Sequence, residues 1–176
     1  MDVTLISPPA PGSVEELEDL AAVMEQYENR VVPESLQERC DVDMEGMLIE
    51  YLSNRGISLD KEKVEKVRKL TQDLIVKLKG HFNRERPNEV AQRLGIEWDC
   101  DYLSSAQTPS YPSGHTIQAY VCATFCSKLY PEHSRGLFMI AELVSQSRID
   151  RGVHFPSDVE YGKLIAKEIT DQAFGQ

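Results

Sequence analysis

No stretch of about eighteen apolar residues occurs in this chain, so no segment reads as a helix crossing a bilayer. Residues Met1 to Gly12 have neither a basic flank nor an apolar block, which argues against a secretion signal. The four cysteines, Cys40, Cys100, Cys122 and Cys126, include no CxxC pair and none of the usual zinc spacings. Cys122 and Cys126 lie four apart in an apolar helical run and read as two buried thiols. Reduced thiols and the missing signal together place the protein in the cytoplasm. There is no internal repeat, no low-complexity tract and no strand-like alternation. No carboxylate cluster suited to a metal is apparent, so neither a metal nor a resident cofactor is expected. Positive charge is scarce: 19 Lys and Arg stand against 29 Asp and Glu, for a net charge of −10 and a pI of about 4.9. That balance argues against nucleic acid or an anionic membrane as a partner. An anionic substrate is still allowed, because charge inside a cleft can oppose the field of the whole surface.

What is present suits one helical domain. The apolar fraction, 41% of 176 residues, is enough for a sizeable core. After an extended leader, Ser13 and Glu16 form a capping box, and Leu17, Leu20, Ala21 and Met24 recur at helical spacing, predicting a helix over 14–30. A second helix is expected from Pro33 or Glu34 to Asn54, and a third from Ser58 or Asp60, with Val64, Val67, Leu70, Leu74 and Leu78 on one stripe. Asn88 to Leu94 reads as a short helix, Pro112 to Leu129 as a clear one, Glu132 or Ser134 onward as another, and 157–174 as the last. The expected fold is an all-α bundle of six or seven helices with a site at helix ends on one side. Residues 1–58 are expected to be a leader and helical extension packed on a core of 59–176. The acidic amphipathic helices of 13–54 would also suit the surface of a homodimer.

Three segments carry chemistry. In Ser147-Arg148-Ile149-Asp150-Arg151-Gly152-Val153-His154-Phe155-Pro156-Ser157-Asp158, Pro156 fits a first helical position. That puts His154 on the connection and Asp158 in the first turn, where it can hold one ring nitrogen of His154 and aim the other at a substrate. Arg148 offers a planar fork for phosphate oxygens. The plainer account is a capping Asp beside a surface His and solvated Arg. Lys79 and Arg86, seven apart, would share a face about 10 Å along the axis if the turns between stay helical; the plainer account is a basic helix end. In Pro112-Ser113-Gly114-His115-Thr116, Gly114 leaves the first-turn amides unshielded and Ser113 adds a hydroxyl, a ready seat for phosphate. His115 sits inside that seat and could donate a proton to a leaving oxygen, or could be incidental to a capped helix.

Together the segments resemble the type 2 phosphatidic acid phosphatase superfamily, which includes class A bacterial acid phosphatases and vanadium-dependent haloperoxidases. Its signature is Lys, six residues, Arg-Pro; then Pro-Ser-Gly-His; then Ser-Arg, five residues, His, three residues, Asp. Lys79…Arg86-Pro87, Pro112-Ser113-Gly114-His115 and Ser147-Arg148…His154…Asp158 match it in order, without a gap or substitution. The resemblance covers about residues 74–170. It implies His154 as the nucleophile that takes the phosphoryl group, Asp158 as its orienting partner, and His115 as the acid for the leaving group. Lys79, Arg86, Arg148, Ser113 and the Gly114 amide would cradle the phosphate. The implied activity is a soluble phosphatase for a small phosphorylated substrate, either a phosphomonoester or a diphosphate. Phosphate or vanadate would be the ion bound in its site. A vanadate-dependent haloperoxidase and a non-catalytic phosphate-binding protein are the alternatives.

Overall fold

The computed structural model of the protein describes residues 1–175. Among them are nine α-helices, two short 3-10 turns (Ser104–Ala106 and Pro131–His133) and no strand. The helices are α1 (Val14–Glu28), α2 (Glu34–Val42), α3 (Met44–Ser53), α4 (Lys61–Lys69), α5 (Gln72–Phe82), α6 (Pro87–Arg93), α7 (Gly114–Leu129), α8 (Ser134–Asp150) and α9 (Pro156–Phe174). The all-α expectation holds. The helices outnumber the expected ones because two long helices are each broken in two.

Both breaks have a local cause. Asp43 leaves the helical region (φ −144°, ψ 44°), ends α2 and caps α3 through its side chain, 3.2 Å from the Gly46 amide. Asp is a strong capping residue. A Cβ on Gly46 would lie 2.1 Å from Asp43 Oδ2, so only glycine admits this cap. Thr71 turns its hydroxyl onto the Arg68 carbonyl at 2.7 Å, competing with the ladder, and α4 gives way to α5 there. The break rotates the apolar stripe: Val64 and Leu78 are buried, but Leu70, expected on that stripe, is 74% exposed. In α1 the buried face is Glu16, Leu20 and Val23, and Leu17 faces outward. Glu16 is kept inside by Arg93, whose Nη2 donates to both of its carboxylate oxygens at 3.0 Å.

α7 is the central helix, packed against α8 and α9 and crossed by α4. Cys122, Ala123 and Cys126 of α7 meet Leu137, Ala141 and Val144 of α8, and the same cluster takes in Cys40, Met44, Leu48 and Leu52 from α2 and α3. These residues before 59 thus pack into the same core as α7 and α8. A second cluster joins Ile117 and Val121 of α7 to Ile165 and Ile169 of α9 and to Ile75 and Leu78 of α5. Burying each Leu or Ile side chain contributes about 1.5–3 kcal/mol relative to exposure. The extended leader is pinned by Tyr161, which donates to the Thr4 carbonyl at 2.8 Å, and by Tyr111, which donates to that of Ile6 at 2.7 Å. All four cysteines are free, and Cys40, Cys122 and Cys126 are buried.

Candidate active site

Five helix ends converge at one end of the bundle. The C-terminus of α5 brings Lys79, the start of α6 brings Arg86, and the N-terminus of α7 brings Gly114 and His115. The C-terminus of α8 brings Arg148, and the connection to α9 brings His154. Lys79 and Arg86 do not share one helix face. α5 ends at Phe82, Asn83 turns the chain in the left-handed region (φ 47°), and Arg86 caps α6, so a turn brings the two cations together. Pro87, not Asn88, opens α6, and the Glu89 side chain accepts from the Arg86 amide at 3.0 Å. Gly152 (φ +74°) reverses the chain after α8 and lets Val153 and His154 double back, both donating to the Arg148 carbonyl.

Lys79, Arg86, Gly114, His115 and His154 line one cavity of about 180 Å³, with Gln72, Ile75, Val76, Gln118, Ser105 and Thr108 completing its wall. Asp158, Ser113 and Arg148 stand behind that wall, each fully buried. Ser113 caps α7, its hydroxyl accepting from the Thr116 amide at 3.3 Å, so the helix starts at Gly114, two residues after Pro112. A Cβ on Gly114 would sit 3.1 Å from Ile75 Cγ2 and 3.7 Å from Lys79 Cε. The glycine thus keeps α5 and its lysine close to the first turn of α7.

His154 is held as the spacing predicts. Its Nδ1 lies 3.0 Å from Asp158 Oδ2, and the Phe155 amide donates to that same oxygen at 2.9 Å. Sequence reasoning missed two further groups on this carboxylate. Arg84 Nη1 donates to Oδ1 at 2.7 Å, and the Ser110 hydroxyl donates to Oδ2. Arg84 also reaches Asp19 of α1 at 2.9 Å and lies 3.8 Å over the Phe155 ring. Burial pushes the Asp158 carboxyl up to about 6 against these donors, so it is ionised at neutral pH.

The cations crowd one another. Burial, then Arg86, brings the Lys79 ammonium down to about 7. Burial, then Arg148, brings the Arg86 guanidinium down to about 10. Arg86 is fixed by carbonyls, its Nε donating to Thr108 at 2.7 Å and its Nη1 to Val153 at 2.9 Å. Lys79 Nζ donates to the Pro109 carbonyl at 2.5 Å. Arg148 Nη1 pairs with Asp41 Oδ1 at 2.7 Å, and its Nε is buried with no partner among the described residues. Burial and the neighbouring Arg86, Lys79 and Arg148 hold the His154 ring well below its ordinary value, so it stays neutral. His115 is also lowered, by burial and then Arg148, against the pull of Asp41. Crowded cations and helix-start amides around one small hollow fit a tetrahedral oxyanion. Among the described residues no group of three or more His, Cys, Asp and Glu stands together as a metal site.

Ser105 and Thr108 come from the polar loop 104–111, whose length and composition suit a pocket border, whereas Asp41 is a residue the sequence does not mark. Ser105 Oγ donates to Asp41 Oδ1 at 2.7 Å, and Asp41 comes from α2, 74 residues before His115 in the chain. No local pattern marks it; Arg84 at least lies between Lys79 and Arg86, inside a signature gap.

Known proteins are similar to parts of this chain. The acid phosphatase of Zymomonas mobilis subsp. mobilis is 29% identical over 134 residues, 72% of this chain and 50% of that protein. A non-specific acid phosphatase of Providencia stuartii is 35% identical over 68 residues, 39% of this chain and 27% of that protein. The chain thus spans at most about half the length of these curated relatives. A solved transmembrane PAP2-type phosphatidylglycerolphosphate phosphatase from Bacillus subtilis superposes with a TM-score of 0.55 at 22% identity. That match covers 90% of this chain and 85% of that one, a likeness of fold. No helix among the described residues is long and apolar enough to cross a membrane. The model of the PAP2 superfamily matches residues 69–167, which takes in the cavity's two histidines, its cations and Asp158, and the chain belongs to that superfamily.

Proposed function

We propose that this protein is a metal-independent phosphatase that hydrolyses phosphomonoesters or diphosphates through a phosphohistidine on His154. The observation that carries the reading is the His154 ring, with Nδ1 on Asp158 at 3.0 Å and the ring lining the cavity shared by Lys79, Arg86 and His115. A neutral imidazole with one nitrogen tied to a carboxylate keeps the other unprotonated, and that lone pair attacks phosphorus once the substrate's oxygens take up the Arg86 donor it now faces. Charge that spreads over the equatorial oxygens meets Lys79, Arg86 and the first-turn amides of α7. His115 gives its proton to the leaving oxygen, and the bond from phosphorus to that oxygen breaks as the bond to His154 forms. His115, now neutral, then takes a proton from water, whose oxygen attacks the phosphohistidine and releases phosphate and the free His154 ring.

A neighbouring cavity of about 280 Å³ shares Ser105, His115 and Gln118 with the first and is lined by Asp41, Asp43, Glu45, Glu65, Lys61 and Arg68. That charged lining supports a polar leaving group dissolved in water over a lipid chain. The free cysteines support a reducing, cytoplasmic setting.

The test is hydrolysis of p-nitrophenyl phosphate in EDTA, with and without vanadate. Turnover that persists in EDTA, is blocked by vanadate and is lost in His154→Ala supports the reading. Turnover that needs a divalent metal and survives His154→Ala overturns it. Bromide oxidation by peroxide after vanadate loading, without phosphatase turnover, would replace it with a haloperoxidase.

A further inference from the structure

Asp41 belongs to α2, outside the family-matched residues, yet its side chain is only 10% exposed and lines the neighbouring cavity that shares Ser105, His115 and Gln118 with the first. His115 Nε2 lies 2.8 Å from the main-chain oxygen of Asp41 and 3.3 Å from its Oδ1. A carbonyl oxygen only accepts, so Nε2 carries a hydrogen whether the ring is neutral or charged. Nδ1 is then the nitrogen that gains and loses the second proton. His154 is set the opposite way, with Nδ1 bound to Asp158 and Nε2 turned toward Arg86.

We infer that Asp41 is the positioning residue for the leaving-group side of the site, fixing His115 so that Nδ1 delivers the proton. Through Oδ1, Asp41 also ties that ring to Arg148 and Ser105. The two histidines thus have separate carboxylate anchors, one from α9 and one from α2. Burial would raise the Asp41 carboxyl, but hydrogen bonds from His115 and Ser105 and the Arg148 charge hold it well below the usual range. It therefore stays anionic and favours the imidazolium that the acid step needs. The charged and titratable groups around His115 are Arg148 from α8, Asp41 from α2, and Lys79, Arg86 and His154 across the cavity. Glu45, Lys61, Glu65 and Arg68 lie on its other side.

This inference rests on the phosphatase reading for its kinetic consequence but not for its geometry, so two measurements separate them. The first is the ring nitrogen spectrum of His115 in protein labelled with 15N-histidine. A neutral ring protonated at Nε2 is expected, and a ring protonated at Nδ1 overturns the inference whatever the protein hydrolyses. The second compares Asp41→Asn with wild type on an alkyl phosphate and on p-nitrophenyl phosphate. An alkoxide needs the proton and p-nitrophenolate hardly does, so kcat on the alkyl ester should fall about 100-fold while the aryl ester loses far less. The alkaline limb of kcat/KM should move to lower pH, because Asp41 raises the His115 pKa. Equal losses on both esters with an unmoved limb would reduce Asp41 to a structural counter-charge and overturn the inference. Asp41→Asn keeps the shape and the main-chain acceptor; if it does not fold, the spectrum of the wild-type ring still decides. Absence of turnover in wild type would overturn the phosphatase reading and leave the tautomer as the arbiter of the geometry.

Discussion

Arg86 Nη1 lies 2.9 Å from His154 Nε2, so the nitrogen proposed to attack phosphorus already faces a guanidinium donor. The contact keeps a proton off Nε2, because two N–H groups cannot point at each other. It also sets the cation beside the attacking nitrogen, within reach of the oxygens of a phosphoryl group bound there. Replacing Arg86 with Lys keeps the charge but loses the fork and the carbonyl clamps from Thr108 and Val153. Arg86→Lys should lower kcat/KM by about 10²–10³, the cost of removing one preorganised donor from developing charge. Steady-state kinetics on p-nitrophenyl phosphate measures it; activity within twofold of wild type contradicts the cradle.

Lys79 makes anion binding depend on pH. Its folded pKa is lowered to about 7, and a bound oxyanion must raise it. Below 7 the lysine is already charged and binding needs no proton. Above 7 each binding event takes up a proton, so affinity should fall toward tenfold per pH unit. Sulfate, which stays dianionic throughout, is the probe. Calorimetry at pH 8 in two buffers of different ionisation enthalpy should show uptake of nearly one proton in wild type, and much less in Lys79→Met.

Asp158 sets the acid limb. The proposed attack needs it ionised, and its carboxyl lies at about 6, so kcat/KM should decline as pH falls through that value. Arg84 pulls this pKa down. In Arg84→Met the limb should therefore move to higher pH. The variant also leaves Asp158 buried without its ion pair, which costs about 3–5 kcal/mol and should show in chemical denaturation. A stable variant with an unmoved limb would remove Arg84 from the site.

Gly152 is a backbone requirement. Its φ of +74° favours glycine, and an added Cβ would come within 2.9 Å of Trp98. Gly152→Ala should destabilise the fold by about 1–3 kcal/mol and lower kcat with it, since the turn delivers His154. Thermal melts and rates on the same preparation test the link; a melt unchanged from wild type contradicts it.

The signature residues were legible because their spacing is local. Pro156 at a helix start and Asp158 two residues on fix where His154 must lie, and the structure agrees to hydrogen-bond distance. The supporting groups were not legible. Asp41 meets Arg148 across 107 residues of chain, and Asp19 meets Ser157 across 138. On their own helices both read as ordinary solvated acids. The break at Asp43 left a readable trace, a capping residue followed three positions later by the glycine that admits it. A continuous apolar stripe outweighed that trace. Leu70 failed for a related reason, since helical spacing carried across Thr71 assumes a ladder that the threonine hydroxyl diverts.

Trp98 is the chain's single indole, packed edge-on to Tyr27 at 5.5 Å between centroids and touching the Gly152 turn. Its emission therefore originates a few residues from His154, and from nowhere else in the molecule. Binding that shifts the Gly152 turn should therefore change the indole emission, a signal that needs no dye, label or coupled assay.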